Sequence, residues 1–161
     1  MIASSIWKQE MTFEGRSESG HTVVFDADSS HAKGPTPMEA VLMALCACTS
    51  VDVIAILKKK REPFTGLTVN AIAEQASEAP RVFTRIDLIY RVTGDVSQKA
   101  MEDAVALSKN KYCSVSKMLE KAAKVEFRIE YTRTETVADA LAEAQAEAEQ
   151  SETAKDGSAQ G

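Results

Sequence analysis

The chain is short of metal ligands and of disulfide staples. Among 161 residues it holds two histidines, His21 and His31, and three cysteines, Cys46, Cys48 and Cys113. Structural zinc sites draw four ligands from paired cysteines and histidines at short spacings. Here a single C-x-C stands alone, so no metal site is expected. An odd cysteine count without paired spacing also argues against a disulfide framework. The N-terminal MIASSIWKQEM lacks the charged-then-apolar order of a signal peptide. A reducing, cytoplasmic location with free thiols is the expectation. Basic residues are not in excess either. Of 24 acids and 19 bases, seven acids and one base fall in residues 134–161, which leaves 17 acids and 18 bases in residues 1–133. A body so nearly neutral has no broad basic field for nucleic acid. There is no internal repeat and no second long apolar run.

One long apolar run is present, and the chain is organised around it. Thr36–Arg61 reads TPMEAVLMALCACTSVDVIAILKKKR. Thr36 is placed as an N-cap, Pro37 at the first helical position, and Glu39 three residues after the cap, which is a capping box. Lys58, Lys59, Lys60 and Arg61 suit the negative end of a helix dipole, and Pro63 blocks continuation. The run is long enough to suggest a membrane span, but Glu39, Thr49, Ser50 and Asp52 interrupt it, and no span is expected. No face of the predicted helix is polar, so it should be buried on most sides, by a sheet or by a second subunit.

Around it the sequence alternates in the manner of strands. Residues 4–14 and 21–25 predict a β-hairpin across GRSESG, and 26–34 a loop. Residues 67–73 and 82–92 predict two strands joined by a turn at 77–80. An amphipathic helix over 97–110, a break at 109–112 and a second helical piece over 114–122 precede a last strand at 125–131. The order β-β-α-β-β-α-α-β predicts an α+β fold, with antiparallel strands against the buried helix. The expected domain spans 1–133. Residues 134–161 form an acidic, Ala/Glu-rich tail, expected to be partly helical or disordered.

The cysteines carry the only distinctive chemistry. Residues two apart on a helix point about 200° from each other, so Cys46 and Cys48 cannot pair while the helix holds. Cys113 precedes SVSKML at a predicted helix start, where oriented N–H groups favour a thiolate. Free cysteines also pack as small buried hydrophobes. Packing is the favoured reading for each cysteine, although one thiol on a buried helix and another at a helix start also fit a reactive and a resolving pair.

The two segments GPTPMEAVLMALCACTSVDVIAILKKKR and KYCSVSKML, in this order within a β/α pattern, resemble the OsmC/Ohr family of osmotically inducible and organic-hydroperoxide-resistance proteins. The family's first cysteine lies eleven residues after a helix-starting proline, the interval from Pro37 to Cys48. Its second lies in a C-P-V-S-like motif, here Cys113-Ser114-Val115-Ser116, with serine in place of proline. The resemblance covers residues 5–131. It implies an antiparallel sheet wrapped around a long buried helix in an intertwined homodimer. It also implies a thiol peroxidase without metal or organic cofactor, acting on hydroperoxides and recharged by a dithiol reductant. Cys48 would become a sulfenic acid and Cys113 would resolve it as a disulfide, while Cys46 packs.

Two positions depart from the pattern of the hydroperoxide-reducing branches. Met38 stands where they carry an acid directly after the proline, and Glu39, one place later, is already engaged by the cap. Their active-site arginine comes from the N-terminal strands, where Arg16 is the only arginine. Glu39 and Arg16 are therefore the candidate supporting residues. His31 is read as a surface loop residue and Asp52 as a structural hydrogen-bond partner. A dimeric small-molecule binding protein with weak or no peroxidase activity, and a scaffold with inert thiols, stand as alternatives.

Overall fold

The computed structural model describes residues 1–132; the acidic segment 134–161 lies outside the described residues. The chain runs β1 (Ala3–Gln9), β2 (Thr12–Ser17), β3 (Thr22–Asp26), α1 (Pro37–Lys60), β4 (Phe64–Gln75), β5 (Phe83–Gly94), α2 (Gln98–Leu107), a π-helical turn (Ser108–Tyr112), α3 (Ser114–Leu119) and β6 (Lys124–Thr132). The α+β class is as expected. The strands, however, form two three-stranded sheets, β1-β2-β3 and β4-β5-β6.

The N-terminal segment read as one strand is two. Glu10, at φ 48°, turns the chain between β1 and β2, and Trp7 pairs with Phe13 across that turn. GRSESG is correspondingly not all turn, since Gly15, Arg16 and Ser17 belong to β2 and pair with β1. Continuous alternation masked the turn because it contains neither glycine nor proline.

The expectation of a wholly antiparallel sheet is also corrected. β4 and β5 pair antiparallel, with Val69 opposite Tyr90 and Ala71 opposite Leu88. β5 and β6 pair parallel, with Leu88 opposite Phe127 and Tyr90 opposite Ile129. A parallel neighbour requires a long crossover, and the helical stretch between β5 and β6 supplies one. Gly94 ends β5 at φ 119°, where the Pro63 carbonyl occupies the space a Cβ would need.

Helix α1 begins and ends as its sequence dictates. Thr36 Oγ1 accepts the Glu39 N–H at 3.2 Å, and the Glu39 carboxylate accepts the Thr36 N–H at 2.7 Å. At the other end Arg61 adopts the left-handed conformation. The Arg61 N–H donates to Lys58 O and the Glu62 N–H to Leu57 O, each at 3.0 Å, a Schellman closure. Only one stripe of α1 is fully buried: Leu45, Thr49, Val53 and Leu57, at intervals of one turn. They meet Ile86, Leu88, Tyr90 and Val92 of β5 and Met101, Ala104 and Val105 of α2 in the core. Each large aliphatic removed from water there contributes about 1.5–3 kcal/mol.

The opposite stripe, Met43, Ala47, Val51 and Ala55, is exposed, Val51 by 69%. Among the described residues α1 is the one helix long and apolar enough to cross a membrane by length and composition; the same is true of core helices in many folded domains. The first sheet is similarly uncovered. Among the described residues no core member precedes Val41, and Ile6, Trp7, Val23 and Val24 face solvent.

Candidate functional site

Three elements converge on the cysteines. α1 carries Cys46 and Cys48 with both side chains half-buried against the core. The π-helical turn ends at Cys113, which caps α3 and is fully buried. The Cys113 N–H donates to the Ser108 carbonyl at 2.9 Å, the five-residue bond of a π turn. Its Sγ accepts the Ser116 N–H at 3.4 Å. Cys48 is near enough to the Cys113 thiol to help raise its pKa. The structure therefore brings together two sulfurs that are 65 positions apart in sequence.

Their environment decides between the two readings of Cys113. Of these, a thiolate favoured at a helix start or a small buried hydrophobe, the structure bears out burial. Burial, followed by the neighbouring Cys48, pushes the Cys113 thiol up to about 12, and the Ser116 N–H offsets this only in part. Full desolvation of a charge outweighs one backbone donor. Cys46 is also pushed up by burial. It lines a different cavity, of about 420 Å³, with Glu39, Leu42, Met43, Val69, Asn70 and Ala71.

The candidate supporting residues are not gathered at the two sulfurs. Glu39 is held in the capping box, and the Thr36 N–H beside its carboxylate keeps it below the usual carboxylate range. Arg16 lies on β2 of the first sheet, ion-paired with Glu14, which also meets Lys8 at 3.2 Å. His31 is an exposed loop residue at φ 45°, its Nδ1 3.3 Å from the Asp26 carbonyl. Asp52 is a structural hydrogen-bond partner as read, and it accepts the Ser108 hydroxyl at 2.8 Å.

Asp52 is the outer end of a chain of hydroxyl groups that sequence reading did not assemble. Thr49 Oγ1 lies 2.7 Å from Tyr90 Oη and 2.9 Å from Ser108 Oγ. Burial pushes the Tyr90 phenol up to about 12. The available signal was Thr49 itself, a polar residue in an otherwise apolar stripe. A second cavity, of about 550 Å³, opens beside Asp52, lined by Ala55, Ile56, Lys59, Leu107 and Tyr112 among others. Among the described residues no three His, Cys, Asp or Glu side chains converge as metal ligands.

Comparison with known proteins identifies the family and the fold. A family model described as OsmC-like protein matches residues 30–128. Protein YhfA of Escherichia coli K12 is 45% identical over 126 residues, covering 78% of this chain and 93% of YhfA. The crystal structure of an OsmC like protein from Mycoplasma pneumoniae superposes with a TM-score of 0.72 at 15% identity, covering 81% of this chain and 96% of that one. An organic hydroperoxide resistance protein from Elizabethkingia anophelis superposes with a TM-score of 0.61 at 13% identity, covering 81% and 94%. The chain belongs to the OsmC-like family.

Proposed function

We propose that the protein is a thiol peroxidase that reduces organic hydroperoxides, with Cys48 as the peroxidatic and Cys113 as the resolving residue. The observation that supports this is that the two thiols are neighbours in the fold, Cys48 half-buried on α1 and Cys113 fully buried, with its pKa raised by burial and by Cys48. Cys48 thus has a neighbour able to donate to its thiolate. In the first step the thiolate attacks the distal peroxide oxygen and the O–O bond breaks. The alkoxide takes a proton and leaves as an alcohol, and Cys48 becomes a sulfenic acid. In the second, Cys113 sulfur displaces hydroxide from the sulfenic sulfur, giving a disulfide and water. A dithiol reductant then exchanges with that disulfide and restores both thiols.

The same reading includes an intertwined homodimer, cytoplasmic and free of membrane and nucleic acid. The support for the homodimer is the pair of uncovered surfaces, the Met43–Ala47–Val51–Ala55 stripe and the apolar side chains of the first sheet. Burying both against a second copy removes apolar area that one protomer leaves in water. Arg16, the only arginine before Arg61, lies away from the sulfurs within one protomer, so as a cation for Cys48 it would have to come from the second copy of the homodimer. A second reading, a dimeric binding protein with weak or no peroxidase activity, is favoured by Met38 at the acidic position of the hydroperoxide-reducing branches.

Intact mass after one equivalent of cumene hydroperoxide separates the two readings. Peroxidase chemistry removes two hydrogens from the reduced protein within seconds, not in Cys48→Ser or Cys113→Ser, and leaves a trappable sulfenic acid in Cys113→Ser. Folded wild-type protein that stays fully reduced for minutes overturns the peroxidase reading.

A further inference from the structure

The Tyr90, Thr49, Ser108 and Asp52 side chains form a single file with a fixed polarity. Asp52 accepts from Ser108, which commits the one hydroxyl proton Ser108 has. The Thr49 proton is therefore the one between Thr49 and Ser108, and the Tyr90 proton the one between Tyr90 and Thr49. Every hydroxyl donates once, and the file ends on a carboxylate, where hydrogen bonds are strongest. Thr49, Ser108 and Tyr90 are buried, so none of these bonds has water as an equal substitute.

The file joins the two cysteine-bearing segments. Thr49 follows Cys48 directly, and Asp52 lies one turn beyond it on α1. Ser108 opens the π-helical turn, and its backbone carbonyl holds the Cys113 N–H. One residue thus grips α1 with its side chain and Cys113 with its main chain. The next residue fastens the turn on the other side. Lys109 Nζ donates to the Val125 carbonyl of β6 at 2.9 Å and stands 5.2 Å from the Phe127 ring centroid. A π turn is a costly, rare backbone form and persists where its surroundings over-determine it.

We propose that Ser108, anchored by Thr49 and Asp52, is a positioning residue that holds Cys113 against Cys48 for disulfide closure. This rests on the resolving role given to Cys113 above. Thiol–disulfide exchange needs the attacking sulfur in line with the bond it breaks, so small displacements of one segment against the other cost rate steeply.

Closure is measurable without a peroxide. In a Cys46→Ala background, 5,5′-dithiobis(2-nitrobenzoate) reacts with the first thiol. That sulfur takes one half of the reagent as a mixed disulfide, and the other half leaves as a coloured thiolate. The second cysteine then loses its proton to solvent and attacks the protein sulfur. The Cys48–Cys113 disulfide forms and a second coloured thiolate is expelled. Ser108→Ala and Thr49→Val are expected to leave the first release within about twofold and to slow the second about tenfold or more. Asp52→Ala, at a partly exposed position, is expected to slow the second release in a chain that keeps its core. Asp52→Asn is expected to restore it, because the amide oxygen still accepts the Ser108 hydroxyl. The proposal is overturned if wild type gives no second release, or if the second release is unchanged in Asp52→Ala. It is equally overturned if Asp52→Asn is as slow as Asp52→Ala, which would assign the effect to charge. Rapid closure in a protein inert to cumene hydroperoxide would overturn the peroxidase reading alone.

Discussion

The N–H of Cys113 donates to the carbonyl of Ser108 at 2.9 Å, closing a π turn between two α-helices. An α-helical continuation would rotate Cys113 to another direction, so this bond sets which way the buried thiol points.

The buried thiol fixes a pH dependence. With Cys113 pushed up to about 12, its thiolate fraction grows about tenfold per pH unit at neutral and mildly alkaline pH. Disulfide closure is expected to accelerate by about that factor per unit from roughly pH 7 to 9. Stopped-flow release of the second coloured thiolate checks it; a plateau near pH 8.5 would mean that Cys113 ionises as an ordinary thiol. For stability the sign is the usual one for a raised value. The neutral folded thiol costs nothing below the unfolded value of 9.0, and stability is lost as pH rises from there toward about 12.

Thr49→Val keeps the side-chain shape but leaves Tyr90 without its acceptor and Ser108 without its donor. A loss of about 1–3 kcal/mol in urea unfolding is expected. Thr49→Ser should recover most of it. Equal stability of Thr49→Val and wild type would show that the file contributes nothing to the fold.

Ser116 gives the contrasting case. Its Oγ is buried and has no hydrogen-bond partner among the described residues. Ser116→Ala is expected to change stability by less than about 0.5 kcal/mol, or to raise it. The backbone N–H that Cys113 Sγ accepts is kept in that variant. A loss above about 1 kcal/mol would reveal an unrecognised partner for the hydroxyl.

Glu39 separates a cap from an active-site group. Its carboxylate lies below the ordinary 4.5 chiefly because of the Thr36 N–H, so its stabilising share is present at neutral pH and lost as the solution is acidified through that range. Wild type and Glu39→Gln should differ in melting temperature at neutral pH and converge in acid. If the variant reacts with hydroperoxide as fast as wild type, Glu39 is a cap alone; a large rate loss at unchanged stability gives it a part in the chemistry.

Val51→Glu tests the proposed dimer. It places a charge in the middle of the exposed stripe, where a single protomer tolerates it and an interface does not. Sedimentation of wild type as a dimer and of the variant as a monomer is expected. A wild-type monomer that is stable and folded contradicts the intertwined arrangement.

Helix α1 was legible in its primary structure to the residue. Its box is made by side chains three positions apart and its stop by local cations and a proline, all within reach of one another along the chain. The strands from Phe64 to Gly94 and from Lys124 to Thr132 were legible because alternation is a local property. Two features were not. The turn at Glu10 carries no breaker residue, and the parallel β5–β6 pairing is decided by where a helical crossover returns the chain. The candidate site divides in the same way. The sequence determined which residues are thiols, how far each lies from its helix start, and that α1 is apolar on every side. Only the tertiary structure decided that Cys48 and Cys113 are neighbours, that burial overrides the helix start at Cys113, and that Thr49, Ser108, Tyr90 and Asp52 form one file. Contact and desolvation depend on what packs around a residue, and the packing here comes from segments more than 40 positions apart.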